Sequence, residues 1–146
     1  MSFIVAVSEM GTTLLVIASL IPEEVLPAFV DALADFCFNS MYSKAPWRTG
    51  FLAMSITKTV EDNSATIKPT ALYAPFVSLG TAPHEILPRT ARALAFPGGV
   101  LGGSVFAARV MHPGTKPNLY IHLAAEDTRG QAFDVFSVVW QDYVGP

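Results

Sequence analysis

The chain has few charged residues for its length. Only 14% of its 146 residues are charged, while 51% are apolar. A domain of this size removes about two-thirds of its unfolded surface from water, and much of the remainder must stay wet. The balance is therefore more apolar than a single soluble domain of this size needs. We expect part of the apolar surface to contact a partner, although a dense core would account for the same composition.

Cysteine and long apolar runs are also scarce. The single Cys37 excludes an internal disulfide, and its position between Phe36 and Phe38 indicates a buried, small apolar residue. The longest nearly unbroken apolar run near the start, residues 14 to 21, is too short to cross a bilayer and follows no basic residue. We therefore expect neither a signal peptide nor a membrane anchor, and no membrane partner.

Basic residues are missing from the first part of the chain. Residues 1 to 43 hold five acidic and no basic residues, residues 44 to 116 hold eight basic and three acidic ones, and residues 117 to 146 hold four acidic residues and Arg129. The net charge of −3 argues against a dedicated nucleic-acid binder. Surfaces of opposite sign would orient subunits that meet head to side, although scattered solvated charges explain the distribution as well.

Apolar periodicity predicts two main helices. The first covers about Glu24 to Tyr42, and its regular part begins close to Pro27, because proline is tolerated only in the first turn. Its predicted buried stripe is Leu26, Phe29, Val30, Leu33, Cys37 and Met41. The second helix follows Pro117. Its predicted buried face is Leu119, Leu123, Phe133, Phe136, Trp140 and Tyr143.

The remaining segments predict strands and short connections. Phe3 to Val7 is a strand candidate, and the continuous apolar run from Thr12 to Leu20 fits a strand or a short helix, of which the helix is favoured. Two hairpins are predicted, "FLAMSITKTV" with "ATIKPTALY" and "ARALAF" with "SVFAARVMH". Between them, "YAPFVSLGT" predicts a helical turn ended by Gly80. The expected fold is one α+β domain over residues 1–146, a largely antiparallel sheet from two hairpins packed with a long helix in the N-terminal half and a C-terminal helix.

Two glycine-containing connections are unusually specific. "PGGVLGG" holds four glycines in seven residues and predicts a flexible arm over residues 97–104. The predicted assembly residues are Gly98, Gly99, Val100, Leu101, Gly102 and Gly103. This loop lacks the lysine of a phosphate-binding loop. In "HPGTKP", His112, Pro113, Gly114 and Thr115 predict a type II turn at which the chain reverses.

Catalytic and metal-binding patterns are weak. His84 and Glu85 begin like a zinc-protease helix, but Leu87 and Pro88 occupy the positions where the helix should continue. His112 and His122 would suit acyl transfer if they joined Asp127 or a serine, yet ordinary turn and surface roles are favoured. The sequence therefore predicts no catalytic residue, no metal ligand and no cofactor.

Three arginines have two interpretations. Arg89, Arg92 and Arg109 lie on or beside the later strands, where they would form a basic patch for DNA or pair with Glu23, Glu24 or Asp31 of a neighbouring copy. The second interpretation is favoured, because no aromatic residues alternate with them as single-strand binding requires.

Four segments, in order and spacing, resemble one family. They are "APWRTGFLAMSI" (45 to 56), "YAPFVSLGT" (73 to 81), "ILPRTARALAF" (86 to 96) and "HPGTKPNLYIHLAAE" (112 to 126). Together they resemble the tail-completion, or head-to-tail connector, proteins of long-tailed bacteriophages and related prophages. The chain departs from the family pattern at Ser78, where the family often has an acidic residue, and at "LY" after the turn, where the family has an aromatic-led "PF".

The resemblance implies a structural virion protein and no enzymatic activity. Family members form a ring in the neck of the particle, between the head-side connector or stopper and the tail terminator or tube. The ring is expected to be a hexamer, with DNA passing through its lumen without sequence-specific binding. The implied location is the virion, and the host cytoplasm before assembly. A tail terminator or stopper of the same neck stays open as an alternative, as does a small ligand-binding or hydrolytic α+β domain.

Overall fold

A computed structural model describes residues 2–8, 11–17, 22–61, 63–97 and 103–145. In the first two of these ranges the description is limited to the backbone. Five of the six predicted assembly residues, at positions 98 to 102, lie outside the described residues, while Gly103 is described and exposed.

The predicted α+β class is confirmed. The elements, in chain order, are β1 Ser2–Ser8, β2 Gly11–Ile17, α1 Val25–Lys44, α2 Phe51–Met54, β3 Ile56–Glu61, β4 Ser64–Pro69, α3 Ala74–Leu79, β5 His84–Ile86, β6 Leu94–Pro97, β7 Ser104–Ala107, β8 Val110–His112 and α4 Tyr120–Val144. All strand pairs are antiparallel. The long helix α1 and the C-terminal helix α4 pack against each other and against the largest sheet.

The largest sheet has four strands in the order β1-β2-β4-β3. The predicted strand at Phe3 to Val7 is confirmed as β1, but the helix favoured for Thr12 to Leu20 is wrong, because Gly11–Ile17 forms β2. This strand pairs on both edges, with β1 and with β4. Of its residues, Thr12, Thr13, Val16 and Ile17 are β-branched, which favours an extended backbone.

The first predicted hairpin is confirmed with a shorter opening strand. β3 pairs with β4, and Val60 lies opposite Ala65. The preceding residues 51 to 54 were expected to extend β3, but they form the short helix α2, in which the amide of Met54 donates to the carbonyl of Gly50 at 2.9 Å. The strand therefore begins at Ile56.

The stripe predicted for α1 is confirmed as the core. Its six residues have relative exposures of 8% or less, and the cysteine among them is fully buried. Pro27 lies in the first turn, where its missing amide costs no helical hydrogen bond. Phe29 meets Phe136 of α4 edge to face, with ring centroids 5.4 Å apart.

The face predicted for α4 is mostly wrong. Of its six residues only Phe136 is buried, and the other five are 38% to 70% exposed. The residues that do face the core are Tyr120, Ile121, Ala124, Ala125, Thr128, Ala132 and Phe136. Small alanines on this face allow α4 to approach α1 closely, which leaves the larger side chains outside.

The second predicted hairpin forms a separate projection. Pairing runs from Thr81 with Thr115, through β5 with β8, to β6 with β7. We call residues 81–97 and 103–115 the arm. None of its described residues is buried. The pairing therefore reaches well beyond the predicted arm of residues 97–104, whose end residues Pro97 and Ser104 lie opposite each other.

Candidate functional site

Two Gly-Thr pairs, 34 residues apart, join at the base of the arm. The amide of Thr81 donates to the carbonyl of Thr115 and the amide of Thr115 donates to the carbonyl of Thr81, each at 3.1 Å. Their hydroxyl oxygens are also 3.1 Å apart. The two Gly-Thr pairs therefore close the arm with a symmetric set of contacts, which we call the base lock.

Both glycines of the base lock are required by geometry. Gly80 has a φ of +73° and Gly114 a φ of +83°, a region that favours glycine. A Cβ on Gly80 would lie 2.4 Å from the carbonyl oxygen of Thr115, and one on Gly114 would lie 2.3 Å from that of Thr81. Each glycine thus allows the opposite strand to approach its backbone directly.

The predicted turn at positions 112 to 115 has a different role. Gly114 has the predicted positive φ, but the amide of Thr115 donates to Thr81 instead of to the carbonyl of His112. Pairing of His84 with His112 and of Thr81 with Thr115 continues on both sides of the Pro-Gly step. The expected chain reversal is therefore wrong: the partner strand takes up the donor that a tight turn would have used.

Two histidines stack beside the base lock. The rings of His84 and His112 have centroids 5.0 Å apart and an interplanar angle of 30°. Nδ1 of His84 donates to the carbonyl of Ala82 at 3.0 Å, and Nδ1 of His112 accepts from the amide of Gly114 at 3.1 Å. Both rings therefore help to hold the backbone of the two strands.

The catalytic alternatives of the sequence are not assembled by this geometry. His122 lies on α4 near Glu126, at 3.8 Å. Asp127 accepts from Ser40 at 2.7 Å and pairs with Lys44, not with a histidine. Hydrogen bonds from Lys44 first and Ser40 second hold the pKa of Asp127 below its ordinary value. His84 and Glu85 lie on a strand, so the zinc-protease helix is absent there.

The groove beside the base lock brings distant segments together. It encloses about 400 Å³ and is lined by Pro46, Tyr73, Phe76, Val77, Thr81, His84, His112, Thr115, Lys116 and Asn118. A second cavity of about 540 Å³ shares three of these residues and is lined by Pro46, Arg48, Thr49, Gly50, Leu52, Tyr73 and Val77. The amide of Asn118 donates to the carbonyl of Val77 at 3.0 Å, which ties α3 to the chain entering α4. Three of the four segments behind the family resemblance thus form one surface.

Large apolar side chains on or next to the segments that line these two cavities are exposed, and one of them, Phe76, lines the groove itself. We call the arm-base surface the set Trp47, Phe51, Met54, Leu72, Phe76 and Leu79. Their relative exposures range from 50% to 94%. Phe51 stacks on Tyr73 with ring centroids 6.2 Å apart, so α2 and α3 contribute to one patch. Apolar side chains exposed together in this way mark interaction sites more often than isolated ones do.

Tyr120 is a feature that the sequence did not indicate. Its side chain is fully buried at the start of α4, and among the described residues its hydroxyl has no hydrogen-bond partner. Burial, with a smaller contribution from Tyr73, raises the pKa of Tyr120 to about 12. A buried hydroxyl without a partner loses its hydration without compensation.

Much of the uneven charge is paired within one chain. Lys58 on β3 contacts both Asp31, at 2.9 Å, and Asp35 of α1. Hydrogen bonds to Asp35 first and Asp31 second raise the pKa of Lys58. Asp31 therefore already has a partner and is less suited to the expected pairing with a neighbour's arginine.

Arg109 has an ion-pair partner among the described residues, whereas the other two arginines discussed above do not. Arg109 pairs with Glu85 at 3.5 Å on the arm itself. Within the described part of the chain, Arg89 and Arg92 have no ion pair, and both are exposed. The arm thus presents uncompensated positive charge to the solvent.

Metal binding and membrane insertion find no support in the described residues. In residues 22–61, 63–97 and 103–145, no group of three or more His, Cys, Asp or Glu side chains is placed to hold a metal ion. A search of the described helices found none with the length and apolar character to cross a bilayer.

Known proteins give no independent indication of function. No family model, curated protein or solved structure matches the chain.

Proposed function

We propose that the chain is a structural protein of the phage neck, a tail-completion subunit that joins the head connector to the tail as part of a ring around the DNA channel. It acts without catalysis and binds no cofactor. Its neighbours are other copies of itself, in a ring expected to be a hexamer, and the connector or stopper and the tail terminator or tube. DNA passes through the lumen without sequence-specific binding. The chain works in the virion and is in the host cytoplasm before assembly.

The observation that supports this proposal is the arm-base surface. Segments 45 to 56, 73 to 81 and 112 to 126 carry the family resemblance, and they meet beside the base lock. The first two of these segments, with the adjacent Leu72, carry the exposed apolar residues of this surface. A surface of this kind suits contact with another protein.

The arm supports the same proposal. A two-stranded ribbon without buried residues gains little stability from its own side chains. It is useful when it reaches and orders against a neighbouring subunit, which also offsets the entropy of holding it in place. A subunit that is completed by its neighbours is the kind of subunit that a closed ring requires.

Electron microscopy of phage particles tests the location. A peptide tag after the last residue, labelled with gold on purified particles, should appear at the junction of head and tail. Label at the tail tip or on the capsid shell, or particles that lack the chain, would contradict the proposal. Label on the head side of the junction would favour a stopper, and label at the end of the tail tube a terminator.

A pair of variants tests the surface. Phe76→Asp places a charge in the arm-base surface, and it should give separate heads and tails while the purified chain stays folded. Val60→Asp is the matched control, since Val60 is also exposed but lies on β3. Normal joining with Phe76→Asp, or equal failure with both variants, would remove the arm-base surface from the mechanism.

A further inference from the structure

We propose that the outward face of α4 is the docking surface for the arm of a second copy of this chain. The inference deepens the ring of the proposed function by naming the two surfaces that meet. It rests on three properties of the described residues: an apolar stripe on α4, an uncovered arm and complementary charge.

The outward face of α4 carries a stripe of exposed, large apolar residues, which Glu126 interrupts between Leu123 and Phe133. We call it the outer stripe: Leu119, Leu123, Phe133, Trp140 and Val144. Their spacings of 4, 10, 7 and 4 residues place them on one side of the helix, opposite the positions that pack on α1. All five are exposed, Phe133 to 70%. A helix that faces solvent on this side has no need of such residues, so the stripe indicates a covered face.

The arm, like the outer stripe, carries large apolar side chains that are exposed to solvent. Its exposed apolar residues include Leu87, Val105, Phe106 and Met111, with exposures of 50% to 70%. In the described structure the arm of one chain leaves the outer stripe of that same chain exposed. Contact between the two surfaces is therefore a contact between copies.

The opposite net charges of the arm and of α4 favour the arm of a second copy as the partner of α4. Residues 81 to 116 hold four basic residues and one acidic residue, whereas residues 117 to 145 hold four acidic residues and one basic residue. On the arm, Arg89 and Arg92 have no ion pair among the described residues, and the same holds for Asp134, which lies on α4 next to Phe133 of the outer stripe. Pairing α4 with α4 of another copy would instead place acidic residues near each other.

The contact joins two different surfaces of identical chains. Such a heterologous contact repeats from copy to copy, and it closes into a ring when the rotation between neighbours allows. Each chain then contributes its arm to one neighbour and its outer stripe to the other.

Self-association of the purified, full-length chain tests the inference. Sedimentation equilibrium should detect oligomers, and Phe133→Glu should lower the association constant by roughly 30-fold, as for a central aromatic contact. The control is Val60→Glu, because Val60 is also an exposed valine but lies on β3, away from α4 and the arm. Its association constant should stay within about 3-fold of that of the unmodified chain, as for a position outside the interface.

Charge reversal identifies the partner surface. Arg89→Glu with Arg92→Glu should weaken association about 10-fold, and so should Asp134→Arg. A mixture of the two variants should recover association, because each supplies one complementary pair. Lys68→Glu, an exposed position off the arm, is the control.

Several results would overturn the inference. It fails if the chain stays monomeric at about 1 mM, where even weak complexes are populated. It also fails if Lys68→Glu weakens association as much as the arm variants do, or if mixing the reversed variants restores nothing. A chain that associates in this way but is absent from the phage neck would keep the inference and end the proposed function; a neck protein whose association ignores these residues would do the reverse.

Discussion

Helix α1 and the arm use apolar residues in opposite ways. The stripe of α1 is buried within one chain, and the acidic residues Asp31 and Asp35 beside it are paired with Lys58. The arm has no buried residue among those described, and two of its arginines have no ion pair there. The difference separates residues that make the chain fold from residues that remain to be covered. In a chain as apolar as this one, both uses together account for the composition.

The largest effect is expected from a substitution in the buried stripe of α1. Phe29→Ala removes a fully buried ring that packs on Phe136, so it should lower the free energy of unfolding by about 3–5 kcal/mol. Phe106→Ala on the arm removes an equally large ring that is 70% exposed, and it should change that free energy by less than about 0.5 kcal/mol. Urea unfolding of the dilute chain measures both. Equal costs would mean that the arm is part of the folding core.

The second-largest effect is expected at the base lock, where the arm joins the rest of the domain. Gly114→Ala forces an alanine into positive φ and against the carbonyl of Thr81, so it should destabilise the base lock by at least about 2 kcal/mol. Hydrogen exchange of the amides of Thr81 and Thr115 reports the loss. Gly130→Ala is the control, since nothing lies near that position in α4, and it should stabilise the helix by about 1 kcal/mol. Unchanged exchange in Gly114→Ala would show that the base lock tolerates a side chain.

A smaller effect is expected at the buried hydroxyl of Tyr120. Tyr120→Phe removes a group that lacks a partner, so the free energy of unfolding should stay the same or rise by up to about 1 kcal/mol. Because the folded pKa of about 12 lies above the ordinary 10.0, stability of the unmodified chain should fall as the pH rises from about 10 to about 12. The variant should lack this loss. Alkaline unfolding followed by tyrosinate absorbance measures both; a clear loss of stability at neutral pH would mean that the hydroxyl does have a partner.

The smallest effect should appear at the exposed pair of Asp127 and Lys44. The folded pKa of Asp127 is below its ordinary 3.8, so its contribution is present above that pH and is lost as the pH falls below 3.8. Asp127→Asn should remove this part of the acid dependence and change little at low pH. Unfolding curves over the acidic range make the comparison, and salt should weaken the difference. An unchanged acid slope in the variant would assign that dependence to other carboxylates.

Some elements follow from local sequence and others do not. The α1 stripe was predictable because the large apolar residues that recur at three- and four-residue steps are the ones that face the core. Helix α4 has apolar residues on two sides, and the larger ones face outward while Ala124, Ala125 and Ala132 face the core. Because large apolar residues usually face the core, the sequence pattern predicted the wrong buried face for α4. In β2, a continuous apolar run did not distinguish strand from helix, and pairing on both edges decided the outcome.

The base lock and Tyr120 likewise combine features that local sequence specifies with features that depend on the whole fold. Glycine at 80 and at 114 was predicted to take positive φ, which depends on local geometry. Their joining into one lock depends on pairing across 34 residues, which no local pattern specifies. The repeated Gly-Thr was the available signal. The unpaired hydroxyl of Tyr120 depends on the packing of the whole domain and had no such signal.

The base lock consists of backbone hydrogen bonds, two hydroxyls and two glycines. The direction in which the arm projects is therefore set independently of the side chains farther out, at positions 86 to 110. Those side chains are free to vary without altering where the ribbon points. An engineer who exchanged them while keeping both Gly-Thr steps would redirect partner choice and leave the angle of approach as it is.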